Sequence, residues 1–173
     1  MSVHMILFLI LLSTNCFGQI LNSDFTEWEN LQNYEKPLNW ITDQHVYGQK
    51  ILRGYENENS WVKFSIDYNT GDCSASISQT IPTINNFDQI NELEFELKTQ
   101  SLNPDSTTFF KIQMFYFLNN TQIINEEIIL DTLLLDFSKV YIPLSNHNSD
   151  SLFIKFTGGG FLTSYSVPQI CTS

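Results

Sequence analysis

The sequence has few basic residues for its length. Its 173 residues include 8 Lys and Arg against 19 Asp and Glu, for a formal net charge of -11. Affinity for nucleic acid depends on clustered Lys and Arg that meet phosphates, and attraction to an anionic membrane surface needs the same residues. The composition therefore argues against a nucleic-acid partner and against a protein held on acidic lipid by charge.

The sequence also lacks an apolar run long enough to span a membrane. Its longest apolar stretch, "ILFLILL" at residues 6–12, is much shorter than the roughly 20 apolar residues that a spanning helix needs. Small side chains at Cys16 and Gly18 follow it, which is the layout of a secretory signal peptide, although "MSVHM" supplies no Lys or Arg. We expect residues 1–18 to be a cleaved signal peptide and residues 19–173 to form one secreted or cell-surface domain. A lipid anchor on Cys16 is the alternative, and Asn15 fits that cleavage site poorly.

Catalytic signatures are missing as well. His4, His45 and His147 lie far apart without a Cys or His at metal-ligand spacing, and no nucleophile elbow or phosphate-binding loop is present. The "GGG" at 158–160 opens no helix and is predicted to be a turn. We therefore expect no enzymatic activity.

One row of acidic residues offers an alternative to that expectation. The strand-like "NELEFELKT" places three glutamates on one face, and paired carboxylates are what glycoside hydrolysis requires. Nothing beside them supplies the apolar pocket that would raise one pKa. A solvated outer face of a sheet is the favoured interpretation.

Two cysteines would survive cleavage, Cys73 and Cys171. In an exported protein such a pair can form a disulfide, which would close a loop of roughly 100 residues. The alternative is two unrelated thiols.

Period-two alternation dominates the rest of the chain. Apolar and polar residues alternate in "WVKFSIDY", "CSASISQTI", "NELEFELKT", "FFKIQMFYFL" and "SLFIKF", while "EEIIL", "TLLLDF" and "KVYIPL" indicate further strands. Turn signals such as "YNTGD", "SLNPDS" and "LNNTQ" separate them. This pattern predicts an all-β protein, an antiparallel two-sheet β-sandwich, in which "EWENLQNY" is one helical turn or an irregular loop.

Aromatic and amide side chains give this fold a candidate ligand surface. The reverse face of "FFKIQMFYF" carries Phe109, Lys111, Gln113 and Phe115 in one row, and rings and amides of this kind suit sugars. Trp40 and Trp61 lie in or beside early loops that would rim a sheet. The alternative for any of these rings is packing in the core, because aromatic residues make up 14% of the chain.

The first mature stretch, "ILNSDFTEWENLQNYEKPLNW", resembles the start of the galactose-binding-like jelly rolls. These include carbohydrate-binding modules of secreted bacterial proteins, whose first strand often reads "N-x-D-F-E-x-W" before a "P-x-x-W" turn. "CSASISQTIP" and "NELEFELKT" are similar to later strands of that family, so the likeness covers about residues 20–160. The matching residues at the start are Asn22, Asp24, Phe25, Trp28, Pro37 and Trp40.

The resemblance implies a jelly roll that binds an extracellular glycan without turning it over. It also implies a structural calcium ion near the first strand, with Asp24 or Glu27 as ligands, although the chain ends "LTSYSVPQICTS" without the acid typical of the family. The alternative function is a structural or adhesive surface module whose partner is another protein.

Overall fold

A computed structural model describes residues 10–11, 20–43, 51–56, 59–65, 74–82, 92–99, 106–130, 134–145 and 147–162. Across these ranges the protein is all-β, and every strand pair is antiparallel. The same ranges hold no helix that is long and apolar enough to cross a membrane. The strands are β1 Ile10–Leu11, β2 Trp28–Leu31, β3 Tyr34–Pro37, β4 Ile41–Thr42, β5 Ile51–Glu56, β6 Asn59–Phe64, β7 Ser74–Pro82, β8 Glu92–Leu97, β9 Ser106–Leu118, β10 Thr121–Leu130, β11 Ser138–Pro143 and β12 Ser151–Leu162.

The largest sheet has five strands in the order β10-β9-β12-β7-β4. Its centre is built on the alternation of β9, in which four inward side chains are completely buried. These are Phe110, Ile112, Met114 and Tyr116. Because the side-chain period of a strand is two, this burial turns the intervening residues to the opposite face, as the sequence predicted.

A second sheet has the order β1-β8-β11 and packs on the first through β8. The inward residues of β8 are buried, as predicted, and the ring of Phe95 lies 5.8 Å from that of Phe110 and 5.9 Å from that of Phe156. These edge-to-face contacts join β8 to β9 and β12, so the two sheets share one apolar core.

Strand β1 belongs to the segment predicted to be the signal peptide. Ile10 lies opposite Glu96 and Leu11 opposite Phe95, so β1 occupies one edge of β8. Cleavage after Gly18 would remove β1 and leave that edge of β8 without this partner.

The opening segment is held on the sheet by buried rings and by one amide. Phe25 and Trp40 are buried, with ring centroids 5.4 Å apart, and Trp40 also contacts Phe156 at 6.1 Å. Gln79 of β7 is buried and bonds to backbone groups of the segment, accepting from Leu21 N at 2.8 Å and donating to Leu21 O at 3.1 Å and Asn39 O at 3.0 Å. The donor and acceptor groups of the buried amide are thereby hydrogen-bonded, and these bonds hold the segment on the edge of the sheet.

The prediction of a helical turn or loop at "EWENLQNY" is wrong, because this stretch forms the β2–β3 hairpin. The two strands are joined at Gln32 and Asn33, and Gln32 has a φ of 40°. Glu29 and Lys36 stand opposite each other with a 2.6 Å ion pair. The hairpin is largely solvated, so its residues carry little apolar alternation for a sequence pattern to detect.

The predicted turn at "GGG" is also wrong, because β12 continues through Gly158, Gly159 and Gly160. The ring of Phe109, on the neighbouring β9, occupies the place where a Gly159 Cβ would stand. A glycine inside a strand often marks such a close approach, so these residues permit packing and do not end the strand.

In "TLLLDF" the described residues 134–137 form no strand. The backbone N–H of Leu134 donates instead to Thr99 Oγ1 at 2.7 Å, and Thr99 N donates to Leu134 O at 2.8 Å. The prediction of a strand there is wrong, because these bonds tie Leu134 to the residues that follow β8.

Candidate ligand-binding face

The outward face of the five-stranded sheet carries the predicted row of β9. Phe109, Lys111, Gln113 and Phe115 are all half-buried and lie on the side opposite the core. The sheet is therefore open enough on this side for rings, an amide and an ammonium group to meet a ligand.

Register brings further side chains beside that row. Phe115 stands opposite Phe153 of β12, and Gln113 stands opposite Lys155. On the other side, Gln113 stands opposite Glu127 of β10. We define Lys111, Gln113, Phe115, Glu127, Phe153 and Lys155 as the outer-face cluster.

The apolar part of the outer-face cluster is a pair of rings. Phe115 and Phe153 have ring centroids 5.7 Å apart and an interplanar angle of 55°, and both side chains are half-buried. The tilt lets the two rings contact each other and still leaves part of each accessible. Such a surface can receive an apolar C–H face of a ligand.

The polar part of the cluster surrounds one carboxylate. Gln113 Nε2 donates to Glu127 Oε2 at 2.9 Å, and Lys111 Nζ lies 3.7 Å from the same oxygen. Both contacts are solvated and therefore contribute little to folding stability. Because they use one carboxylate oxygen, the other keeps its capacity to accept a hydrogen bond from a ligand hydroxyl.

Phe109 has a different position from Phe115. Its ring lies over Gly159, so one face of the ring covers backbone and is closed to a ligand. We therefore centre the candidate site on Phe115 and Phe153 and place Phe109 at its margin.

The two predicted tryptophans lie outside this face. Trp40 is 1% exposed within the core, and Trp61 is 8% exposed. The Trp61 ring covers Gly54 and lies 6.0 Å from the ring of Phe137. Neither ring is available at the surface for stacking on a ligand.

The predicted calcium ligands are both exposed. Asp24 Oδ1 accepts bonds from Thr26 N at 3.3 Å and Thr26 Oγ1 at 3.0 Å, while Glu27 N donates to Asn22 Oδ1 at 3.0 Å. Calcium takes six to eight oxygen ligands. The described residues contain no group of three or more His, Cys, Asp or Glu side chains placed to share a metal. Calcium binding stays a prediction of the resemblance, and Cys73 and Cys171 lie outside the described residues.

The glutamates of β8 lie on its solvated side, as the favoured interpretation expected. Glu94 Oε1 accepts from Lys139 Nζ of β11 at 2.7 Å, and this hydrogen bond, with the charge of Glu94, raises the pKa of Lys139. The Glu94 carboxylate is therefore engaged in an ion pair on the outer side of this sheet.

A partly buried polar cluster that the sequence did not predict joins the β9–β10 hairpin to the connection before β12. Glu126 accepts from Tyr116 Oη at 3.3 Å, and its other carboxylate oxygen lies 3.2 Å from His147 Nε2. Burial and the neighbouring charge of Glu126 raise the pKa of Tyr116. Burial alone would raise the pKa of Glu126, but hydrogen bonds from Ser145, His147 and Tyr116 lower it below its ordinary value.

A scan of the chain against models of protein families finds no match, and a search of curated proteins finds no similar sequence. The likeness to galactose-binding-like jelly rolls therefore stays a prediction. The case for a function depends on the arrangement of the side chains.

Proposed function

We propose that this chain is a secreted, non-catalytic β-sandwich of the jelly-roll type that binds an extracellular glycan. The ligand lies on the outer-face cluster. The contacts of Phe95 with rings of the five-stranded sheet support the sandwich, because they stack one sheet on the other.

The observation that carries the proposal is the Phe115–Phe153 pair with hydrogen-bonding groups on the adjacent strands. A pyranose presents a flat C–H face and a rim of hydroxyls. The two rings receive the apolar face, and Gln113 and Glu127 exchange hydrogen bonds with the rim. Core packing alone does not call for polar groups beside half-exposed rings.

A structural or adhesive module that contacts protein is the second candidate. Its support is β10, which forms one edge of the described five-stranded sheet and exposes Ile123 and Ile129. An edge strand with exposed apolar side chains can pair with a strand of a partner.

A glycan array separates the two candidates. Purified protein is applied beside a Phe115→Ala variant and a control variant, Tyr141→Ala, which removes an exposed ring from β11 in the other sheet. Circular dichroism and thermal melting establish that all three are folded.

The expected result is binding by the wild type and the Tyr141 variant, with about tenfold weaker binding by the Phe115 variant, the worth of one stacked ring. Equal binding by both variants would contradict a site at Phe115. If the folded protein binds no glycan on the array, the adhesive module is favoured.

A further inference from the structure

A cleft of about 300 Å³ lies between the tip of the β2–β3 hairpin and the start of β5. Its walls are Asn30 and residues 32–35 on the hairpin side and residues 51–53 on the strand side. None of these residues belongs to the outer-face cluster. The cleft is therefore a separate candidate site.

The hairpin side of the cleft is rich in amides. Asn30, Gln32 and Asn33 are exposed, and their side-chain amides bond to no other group within the described residues. The tight turn, closed by Asn33 N donating to Leu31 O, brings all three close together. Tyr34, which is half-buried, adds an aromatic ring to the same wall.

The strand side contributes a cation, Arg53, which is half-buried. Its guanidinium lies 4.3 Å from the ring centroid of Tyr55 and 5.8 Å from that of Trp28, and Nη2 donates to Thr26 O at 2.6 Å. The two rings and this bond hold the guanidinium in place.

Arg53 nevertheless lacks an anionic partner. Among the described residues no carboxylate lies within ion-pair distance of it. Arginine stays charged at every physiological pH, and its guanidinium has further N–H donors besides the one that Thr26 O accepts. In a chain with 19 acidic residues and 8 basic ones, an unpaired arginine on a cleft indicates that its counter-ion comes from a ligand.

The groups of the cleft also select the kind of ligand. A ligand anion is attracted at the Arg53 end. The amides of the hairpin wall suit hydroxyl groups. A molecule that carries one carboxylate and several hydroxyls matches this arrangement better than an acidic peptide, which offers no such rim.

We infer that this cleft binds an acidic saccharide of the uronic acid class. Arg53 pairs with the carboxylate, and Gln32 and Asn33 bond to the hydroxyls. This inference does not depend on the outer-face cluster, and a protein with both sites would hold a glycan chain at two points.

The test is isothermal titration of the whole protein with trigalacturonate and with its methyl ester, which keeps the hydroxyls and removes the charge. Three variants are compared with the wild type. Arg53→Gln removes the proposed partner of the carboxylate. Lys139→Gln removes one exposed positive charge from β11, outside both the cleft and the outer-face cluster, and serves as the matched control. Gln32→Ala changes an exposed amide and so tests the cleft even if Arg53→Gln fails to fold.

The wild type should bind the acid at least tenfold more tightly than the ester. Arg53→Gln should lose this preference, Lys139→Gln should keep it, and Gln32→Ala should bind the acid several-fold more weakly. The acid preference of Arg53→Gln is measured separately from the array binding of Phe115→Ala, so the cleft can fail or succeed independently of the outer face.

Each of three outcomes would overturn the inference. The wild type binds the acid and the ester equally tightly, Arg53→Gln keeps the preference for the acid, or folded protein gives no heat of binding with trigalacturonate. Binding of an oligoglutamate as tightly as trigalacturonate would overturn the saccharide class, because charge alone would then explain recognition.

Discussion

Replacing Gln79 by Met should destabilise the protein substantially. Methionine keeps the length and flexibility of the side chain but removes the amide, so the loss reports on hydrogen bonding more than on volume. Three bonds to backbone groups of Leu21 and Asn39 disappear. Each contributes about 0.5 to 1.5 kcal/mol net, and groups left buried without partners add to the loss. We expect the free energy of unfolding to fall by about 2 to 4 kcal/mol.

Urea denaturation measures this change. With a slope of about 2 kcal/mol/M, the midpoint should drop by about 1 to 2 M without a change in the slope. The control is Thr80→Ala, an exposed neighbour on β7, for which we expect a change within about 0.5 kcal/mol. Hydrogen exchange should also become faster in residues 20–43, the segment that the amide holds. A loss below about 0.5 kcal/mol for the Met variant would refute the assignment of Gln79 as the anchor of that segment.

Three further predictions follow from the structure. Trp40→Ala should lower the free energy of unfolding by about 3 to 5 kcal/mol in urea titrations, because Trp40 is buried in the core. The glycan affinity of the folded fraction should stay unchanged. A lower affinity would place Trp40 in the glycan-binding site. Burial and Glu126 raise the pKa of Tyr116, so this tyrosine ionises at lower pH in the unfolded chain than in the folded protein. The free energy of unfolding should therefore fall as the pH rises above the unfolded pKa of about 10. In Tyr116→Phe the free energy of unfolding should fall less steeply between pH 9 and 11. Identical slopes would contradict this. Protein that starts at Gln19 should exchange β8 amides faster than the full chain, because β1 is missing; equal rates would argue against that pairing.

The alternation of the long strands predicted the inward faces correctly. Phe110 and Phe95 follow the period of two, and both are fully buried. The local pattern was enough to predict these faces, because burial of one face of a strand requires apolar residues at alternate positions. The same pattern placed Phe115 on the outward side of β9, where the structure has it.

The neighbours of the outward row of β9 could not be predicted in this way. The order and register of three strands place Phe153 opposite Phe115 and Glu127 opposite Gln113, and these depend on contacts distant in sequence. The cleft at Arg53 was missed for a related reason, since the hairpin wall has little apolar periodicity and the strand wall comes from another part of the chain.

The glycine run of β12 was misinterpreted for a different physical reason. A run of glycines, considered locally, indicates a turn. In the structure the ring of Phe109, on the neighbouring strand, fills the space beside Gly159 that a side chain would occupy. Tertiary packing therefore overrode a correct local rule.

The central claim is that Phe115 and Phe153 form the floor of a glycan site. The most direct measurement is an NMR titration with the sugar that binds best on the array, followed through the aromatic side-chain signals of the whole protein. We expect the signals of Phe115 and Phe153 to shift in proportion to occupancy, while that of Tyr141 stays in place. Shifts confined to residues away from the outer-face cluster, or saturation without any change at these two rings, would contradict it.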